Sequence, residues 1–210
     1  MQSDSYYFRG KFYELRGHFF RSYLDISSLK STLSEPDLMV VMMNPGSSYP
    51  LDTIAGDSCV STHPDNTQRQ IVKVMENCGF SHARVLNLSD FRTPKSDDFF
   101  KFITSVEASK ITHSIFFEER QFELESLFRN QVPVIYAWGV DLRLVPLARK
   151  VIKILKVSRP TGLLKKGSTC SYYHPLPRNS HRQKDWVNKI SAQLKSIDAF
   201  PATCNMDAPT

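Results

Sequence analysis

Apolar residues are concentrated in four short runs, at residues 38–43, 83–88, 132–138 and 169–173. Runs of this length, rich in β-branched and aromatic residues, are typical of buried strands. Elsewhere, apolar residues recur at helical spacing, over residues 67–78, 97–106, 117–128, 142–157 and 182–194. Gly79 follows the first of these segments, at a position where glycine commonly ends a helix. The pattern therefore predicts strands that alternate with helices.

This alternation predicts an α/β fold. Right-handed crossovers between parallel strands place helices on both faces of a sheet, so we expect three layers around a central, mainly parallel four-stranded sheet. No Pro/Gly/Ser-rich linker divides the 210 residues, which indicates a single domain over 1–210. Residues 1–36 are expected to add edge strands or a hairpin, and residues 196–210 to form a flexible tail. Ligands bind where strands end in such sheets.

The charge is distributed unevenly along the chain. The net charge is +6, but residues 139–195 contain 13 Lys and Arg against 2 Asp and Glu. A one-sided basic field favours a polyphosphate partner, because neutralised phosphates release their counterions. A basic helix face that is simply solvated, over residues 149–156, is the alternative. Of the two, the composition favours DNA or another nucleic acid.

Cysteine spacing and hydropathy argue against metal-binding, secreted and membrane-spanning classes of protein. Cys59, Cys78, Cys170 and Cys204 form no C-x-x-C pair, so we predict no metal site and no cofactor. The apolar runs are too short to cross a bilayer, and the first nine residues lack the apolar core of a signal segment. We expect a soluble, cytoplasmic protein that acts as a monomer and does not bind membranes.

Polar side chains stand at the ends of several predicted strands. Asn44 follows the first run, Asn87 lies near the end of the second, and His174 follows the fourth. Each signal alone is weak, because Asn-Pro-Gly is also a good turn and a single loop histidine is often structural. Their order along the chain makes the set informative.

In order and approximate spacing, these segments resemble the motifs of the uracil-DNA glycosylase superfamily over roughly residues 38–194. The resemblance rests on four segments: Met43-Asn44-Pro45-Gly46, Val85-Leu86-Asn87-Leu88, Ile135-Tyr136-Ala137-Trp138-Gly139 and Tyr173-His174-Pro175-Leu176-Pro177-Arg178. The first looks like the mismatch-specific form, with Asn in place of Asp. The set is most similar to a bacterial and phage branch with a His-Pro-Leu second motif.

The resemblance implies roles for the motif residues. Asn44 would orient the attacking water, since an amide is not a competent base, and His174 would donate a hydrogen bond to the departing base. Asn87 would read the Watson–Crick edge of a pyrimidine through its amide donor and acceptor. Gly46 stands where the main uracil enzymes have a tyrosine that blocks the C5 position, so a pocket open to 5-substituents is expected.

Further residues complete the predicted site. With Pro45 and Gly46, the expected base-binding residues are Asn87, Ser47 and His63. The expected DNA contacts are Arg178, Lys165, Lys166, Arg92, Lys95 and Arg182. Arg178 falls where the family has an intercalating leucine, and it can act as a wedge or as a plain phosphate contact. Asp65, Asn66 and Thr67 are favoured residues for capping the following helix, and Asp52 and Asp57 are further polar residues near the first motif.

The resemblance predicts a monofunctional DNA glycosylase, because no lysine occupies a motif position suited to a Schiff base. It would flip out a pyrimidine, more readily a 5-modified one than plain uracil, and leave an abasic site. Defence against phage with hypermodified DNA is a role that such a pocket would suit. A non-catalytic module that binds a modified base or nucleotide and signals to a partner is the alternative. Hydrolysis of free nucleosides fits the basic half less well.

Overall fold

A seven-stranded sheet forms the centre of the protein. The computed structural model describes residues 5–51 and 59–198, and the sheet follows the order β4-β5-β1-β2-β6-β3-β7. The strands are β1 (Tyr6–Leu15), β2 (His18–Ser28), β3 (Leu38–Met42), β4 (Tyr49–Pro50), β5 (Cys59–His63), β6 (His82–Asn87) and β7 (Val134–Tyr136). The fold is a mixed α/β fold, as predicted.

The prediction of a mainly parallel four-stranded sheet was wrong for the sheet as a whole. Among the strands in the described ranges, β3 pairs in parallel with β6 and β7, whereas the other pairs are antiparallel. The cause is the hairpin of β1 and β2, which pairs with β6 through Leu24 opposite Val85 and continues the sheet. The aromatic and basic residues of this hairpin were expected at an edge, but both strands have neighbours on either side.

The fourth predicted strand, at residues 169–173, is absent. Instead, Tyr172 makes isolated antiparallel bridges with Gly139 and Leu164, across a turn that contains Lys165 and Lys166. A different residue, Thr161, makes a parallel bridge with Ile135 of β7. The turn shortens the segment so that it supports the loop before His174 rather than the sheet.

Five α-helices of the described part of the chain pack on the sheet, and their positions follow the predicted segments. They are α1 (Asn66–Cys78), α2 (Ser96–Ile103), α3 (Gln121–Leu127), α4 (Val145–Leu155) and α5 (Ser180–Asp198). Asp65 caps α1 through a capping box with Gln68, and Gly79 ends it in the left-handed region with φ 79°. The predicted cap and stop of this helix are confirmed.

Apolar clusters on the two faces of the sheet fix the three layers. On one face, residues such as Val41 and Leu86 pack against α2, α3 and α4. On the other face, Val40 and Val85 pack against α1 and α5, through Ile71 and Ile190. Alternate residues of each strand thus enter opposite cores, and the carboxyl ends of β3 and β6 are held rigidly between them.

The expected tail at residues 196–210 lies mostly outside the described residues, because α5 extends to Asp198 and residues 199–210 are not described. Asp52 and Asp57 also lie outside the described ranges. No helix in the described part of the chain combines the length and apolarity needed to cross a membrane.

Candidate functional site

A polar cleft of about 500 Å³ opens beyond the carboxyl ends of β3 and β7. The loop after β3, the first turn of α1, the loop after β7 and the His174 loop meet there. Its lining includes Asn44, Pro45, Gly46, Ser47, Asp65, Trp138, His174 and Arg21. Five of these were singled out in the sequence as base-binding or catalytic residues. Four of the five are consecutive, at residues 44–47, and the fold brings His174 to them from a distant part of the chain.

Asn44 is oriented by the loop that follows β6. Its Nδ2 donates to the carbonyl oxygen of Thr93 at 2.7 Å and to that of Phe91 at 3.4 Å. Both protons of the amide are therefore used by the protein, while Oδ1 makes no hydrogen bond within the described residues. Asn44 thus offers the cleft an acceptor, which suits the orientation of a water molecule.

His174 presents a defined tautomer to the cleft. The backbone N–H of Leu176 donates to its Nδ1 at 3.1 Å, so the proton of a neutral imidazole is on Nε2. Burial lowers the pKa of His174, although the neighbouring Asp65 opposes this shift. The side chain is therefore neutral at pH 7 and can donate from Nε2.

Helix α5 holds the His174 loop in place. The indole Nε1 of Trp186 donates to the carbonyl of Tyr173 at 3.0 Å, and Gln183 Nε2 donates to that of Pro177 at 2.8 Å. These two bonds bracket His174 on both sides. A loop residue thereby acquires the fixed orientation that a directional donor requires.

Gly46 has an unexpected neighbour. It lies at φ 67°, where side chains are strained, and a Cβ there would lie 2.9 Å from Asp65 Oδ2. The space beside Gly46 is thus bordered by a carboxylate. The Asp65 Oδ1 atom accepts from Gln68 N at 2.9 Å as the cap of α1. Sequence reasoning identified the cap, but it missed that the same carboxylate enters the cleft.

Asn87 ends β6, next to Met42 of β3 in the parallel register. It is fully buried and does not line the cleft itself, whereas Met42 does. Neither Nδ2 nor Oδ1 of Asn87 has a hydrogen-bond partner. An unpaired amide costs free energy in a core, so these two groups remain available to a polar ligand or water, but in this structure they lie behind the cleft lining and not on it.

Arg21 is the main cleft residue that the sequence reasoning missed. It lies on β2, its side chain is about 2% exposed, and its Nε and Nη1 have no hydrogen-bond partner. Burial lowers the pKa of Arg21 to about 10, while Asp65 and Asp90 oppose the shift. The guanidinium remains charged at pH 7. An arginine inside a predicted edge strand gave no sequence signal of a cleft position.

His63 does not join the site. It lies on β5, is exposed, and stacks on Tyr49 with ring centroids 5.2 Å apart. Tyr49 is its direct partner in the pairing of β4 with β5. The imidazole ring packs on Tyr49 and does not line the cleft, so the structure does not support the predicted base contact of His63.

The predicted DNA contacts lie outside the cleft lining. Lys95 is exposed between Pro94 and Ser96, which both line the cleft, so it stands at the rim. Arg92 is half-buried with its guanidinium 5.7 Å from the Phe19 ring. Lys165 and Lys166 lie on the turn that precedes His174. Arg178 follows His174 in the same loop, and Arg182 lies in the first turn of α5. Of these, Lys166, Arg178 and Arg182 are exposed.

Aromatic residues form one wall of the cleft. Trp138 is buried, donates from Nε1 to the carbonyl of Cys170 at 2.8 Å, and packs edge-on against Tyr172.

Within residues 5–51 and 59–198, no group of three His, Cys, Asp or Glu side chains is placed to hold a metal ion.

The fold and the cleft define an α/β protein with a polar cleft at its strand ends. The chain belongs to the family described as “Protein of unknown function (DUF1643)”, which it matches over residues 28–176. No curated protein and no solved structure matches the chain. The matched region contains Asn44, Asp65 and His174, whereas Arg21 precedes it.

Proposed function

We propose that this protein is a DNA glycosylase that hydrolyses the N-glycosidic bond of a flipped pyrimidine. The observation that carries the proposal is His174, whose neutral Nε2–H tautomer is fixed by Leu176 N–H and which lines the same cleft as Asn44. A fixed donor aimed at developing negative charge stabilises the transition state of such a reaction.

The described residues supply each chemical requirement. As the bond from sugar C1′ to the base breaks, its electron pair moves to the base, and His174 donates to a base oxygen. Asn44 Oδ1 orients a water molecule whose oxygen bonds to C1′, and the Asp65 carboxylate takes the proton that the water loses. This assigns to Asp65 the role of base that the Asn44 amide cannot perform.

The base pocket fits a pyrimidine, including one with a 5-substituent. The unpaired donor and acceptor of Asn87 match the alternating groups of a pyrimidine edge. A cleft of about 500 Å³ holds more than a bare pyrimidine, although the open space expected beside Gly46 is narrowed by the Asp65 carboxylate. We therefore favour a 5-modified pyrimidine in DNA, with defence against modified phage DNA as the biological role.

Membership of the uracil-DNA glycosylase superfamily is part of the proposal. The parallel strands β6, β3 and β7, extended by the parallel bridge of Ile135 with Thr161, correspond in this view to a four-stranded parallel core. The hairpin of β1 and β2 and the short strands β4 and β5 would then be additions on one side of that core. Helices on both faces support this interpretation.

Base release from natural and phage DNA, detected by mass spectrometry, tests the function directly. In the released-base assay, His174→Ala should lower turnover about 100-fold or more while DNA binding changes little. His63→Ala is the matched control, because that histidine is exposed outside the cleft, and it should retain full turnover.

Two results would contradict the proposal. An equal loss of binding and turnover in His174→Ala would make the residue a structural part of the loop. A wild-type protein that shifts the mobility of modified DNA but releases no base would instead support the binding-module alternative.

A further inference from the structure

Arg21 is a buried charge whose hydrogen-bonding capacity the described protein does not fill. Its Nε and Nη1 are unpartnered, its exposure is about 2%, and its side chain lines the cleft. A buried guanidinium without a bonded anion carries an uncompensated desolvation cost. Such a cost is offset when a ligand brings negative charge to the guanidinium.

Each neighbouring carboxylate has one oxygen that is bonded to another group, and Asp90 Oδ1 has no hydrogen-bond partner. Asp65 accepts from the first turn of α1 with its Oδ1. Asp90 is fully buried, and its Oδ2 accepts from Arg120 and from the hydroxyl of Tyr13. Both lie close enough to influence Arg21 electrostatically, but neither forms an ion pair with it. Arg92, also nearby, adds positive charge.

We infer that Arg21 is a further catalytic residue of the cleft, which binds the negative charge that the departing pyrimidine acquires. The inference rests on the proposed function. When the glycosidic bond breaks, the electron pair that it contained stays on the ring, so the base leaves as a planar anion. Asp65 is the common electrostatic neighbour of Arg21 and His174, so two donors that can stabilise the anion lie near one carboxylate. Arginine matches a planar, delocalised anion because its donors lie in one plane.

The test compares two free bases of nearly the same shape. Barbiturate is an anion at neutral pH, whereas uracil is neutral. The binding of either base can be measured without catalysis. In calorimetric titrations at pH 7, the wild-type protein should bind barbiturate at least tenfold more tightly than uracil. Arg21→Met, which keeps the length of the side chain but removes its charge, should bring this ratio close to one.

Arg9→Met is the matched control, because Arg9 is an exposed arginine of the adjacent strand β1 that bonds to the Cys59 carbonyl. It should keep the wild-type ratio, and Arg21→Lys should restore part of it. Thermal unfolding of each variant establishes that it is folded. Equal affinity of the wild-type protein for the two bases, or an unchanged ratio in folded Arg21→Met, would overturn the assignment.

Kinetics separate this assignment from the proposed function. In an active enzyme, Arg21→Met should lower kcat about 100-fold with little change in KM, because the charge develops only in the transition state. A rise in KM of about 100-fold with unchanged kcat would contradict a role in the chemical step. A protein that prefers barbiturate through Arg21 but releases no base would support the anion site and contradict the glycosylase.

Discussion

Two buried histidines illustrate how position decides the chemistry of one residue type. His174 faces the cleft with Nε2, and Leu176 fixes its tautomer. His113 lies in the core, where its Nδ1 pairs with the Ser89 hydroxyl at 2.9 Å and its ring packs edge-on against Phe117. Burial lowers the pKa of His113 to about 4. His174 takes part in the proposed reaction, whereas His113 has only a structural environment, and the lowered pKa of each makes stability depend on pH.

The expected effect of His113 follows from its pKa, which is about 4 in the folded protein and about 6.5 in the unfolded chain. Between these values the unfolded state binds more protons, so acidification favours unfolding. The free energy of unfolding should fall by about 2 kcal/mol from pH 7 to pH 5 through this residue. Urea unfolding at both pH values measures it.

His113→Asn removes the titrating group and is the comparison for this measurement. It should be less stable than the wild-type protein at pH 7, since the packing of the ring is lost, but its stability should change less between pH 7 and pH 5. An identical pH dependence of the two proteins would show that His113 does not govern acid stability.

At the level of elements, the start of α1 combines two tasks. The Asp65 side chain caps the helix through Gln68, and the same carboxylate enters the cleft beside Gly46. The cap needs an oxygen acceptor but no charge, since Asn and Asp are similarly effective at this position. The proposed transfer of a proton from water needs the charged carboxylate. The two tasks can therefore be separated by substitution.

Asp65→Asn should keep the free energy of unfolding within about 0.5 kcal/mol, because the amide still caps α1, while turnover falls about 100-fold or more. Asp65→Ala should lose turnover to the same extent and also about 1 kcal/mol of stability. Chemical unfolding and base release are measured on the same preparations. Full turnover in Asp65→Asn would restrict Asp65 to its role as a cap.

At the scale of the whole molecule, charge is segregated. The segment 139–195 has 13 Lys and Arg against 2 Asp and Glu, whereas the rest of the chain has 14 against 19. This segment contains the turn of Lys165 and Lys166, the His174 loop and most of α5. The turn is joined to the cleft through the bridge of Tyr172 with Gly139. Phosphates that flank a flipped nucleotide would therefore meet lysines and arginines around the cleft mouth.

Charge reversal at Lys165 and Lys166 should weaken DNA binding equally for all sequences. The slope of log affinity against log salt concentration should decrease in magnitude by roughly 2, since each phosphate contact contributes about 0.9. Titrations at several salt concentrations measure this slope. Reversal of the exposed Lys30 and Lys110, which lie outside the basic segment, is the control and should leave it unchanged. An unchanged slope in the Lys165/Lys166 variant would place the DNA on another surface.

The amino-acid sequence by itself determined most of the local elements, although the strand predicted at residues 169–173 did not form. The cap at Asp65 and the stop at Gly79 were predictable because both signals lie within a few residues of the helix that they end. The continuous apolar run before Asn44 predicted a buried strand for the same reason. The placement of Asn44 at a strand end also followed, since polar residues that interrupt an apolar pattern mark the boundary of an element, whereas His174 follows isolated bridges of Tyr172 rather than a strand.

Tertiary structure alone decided where the hairpin of β1 and β2 joins the sheet and which charges enter the cleft. Its pairing with β6 links residues about 60 positions apart, and strand pairing at such separations leaves little local signal. Arg21 of the same strand β2 is buried in the fold, while the left-handed backbone at Gly46 has the Asp65 carboxylate beside it. The sequence identifies these residues, but their burial and the distances between them arise only when the chain has folded.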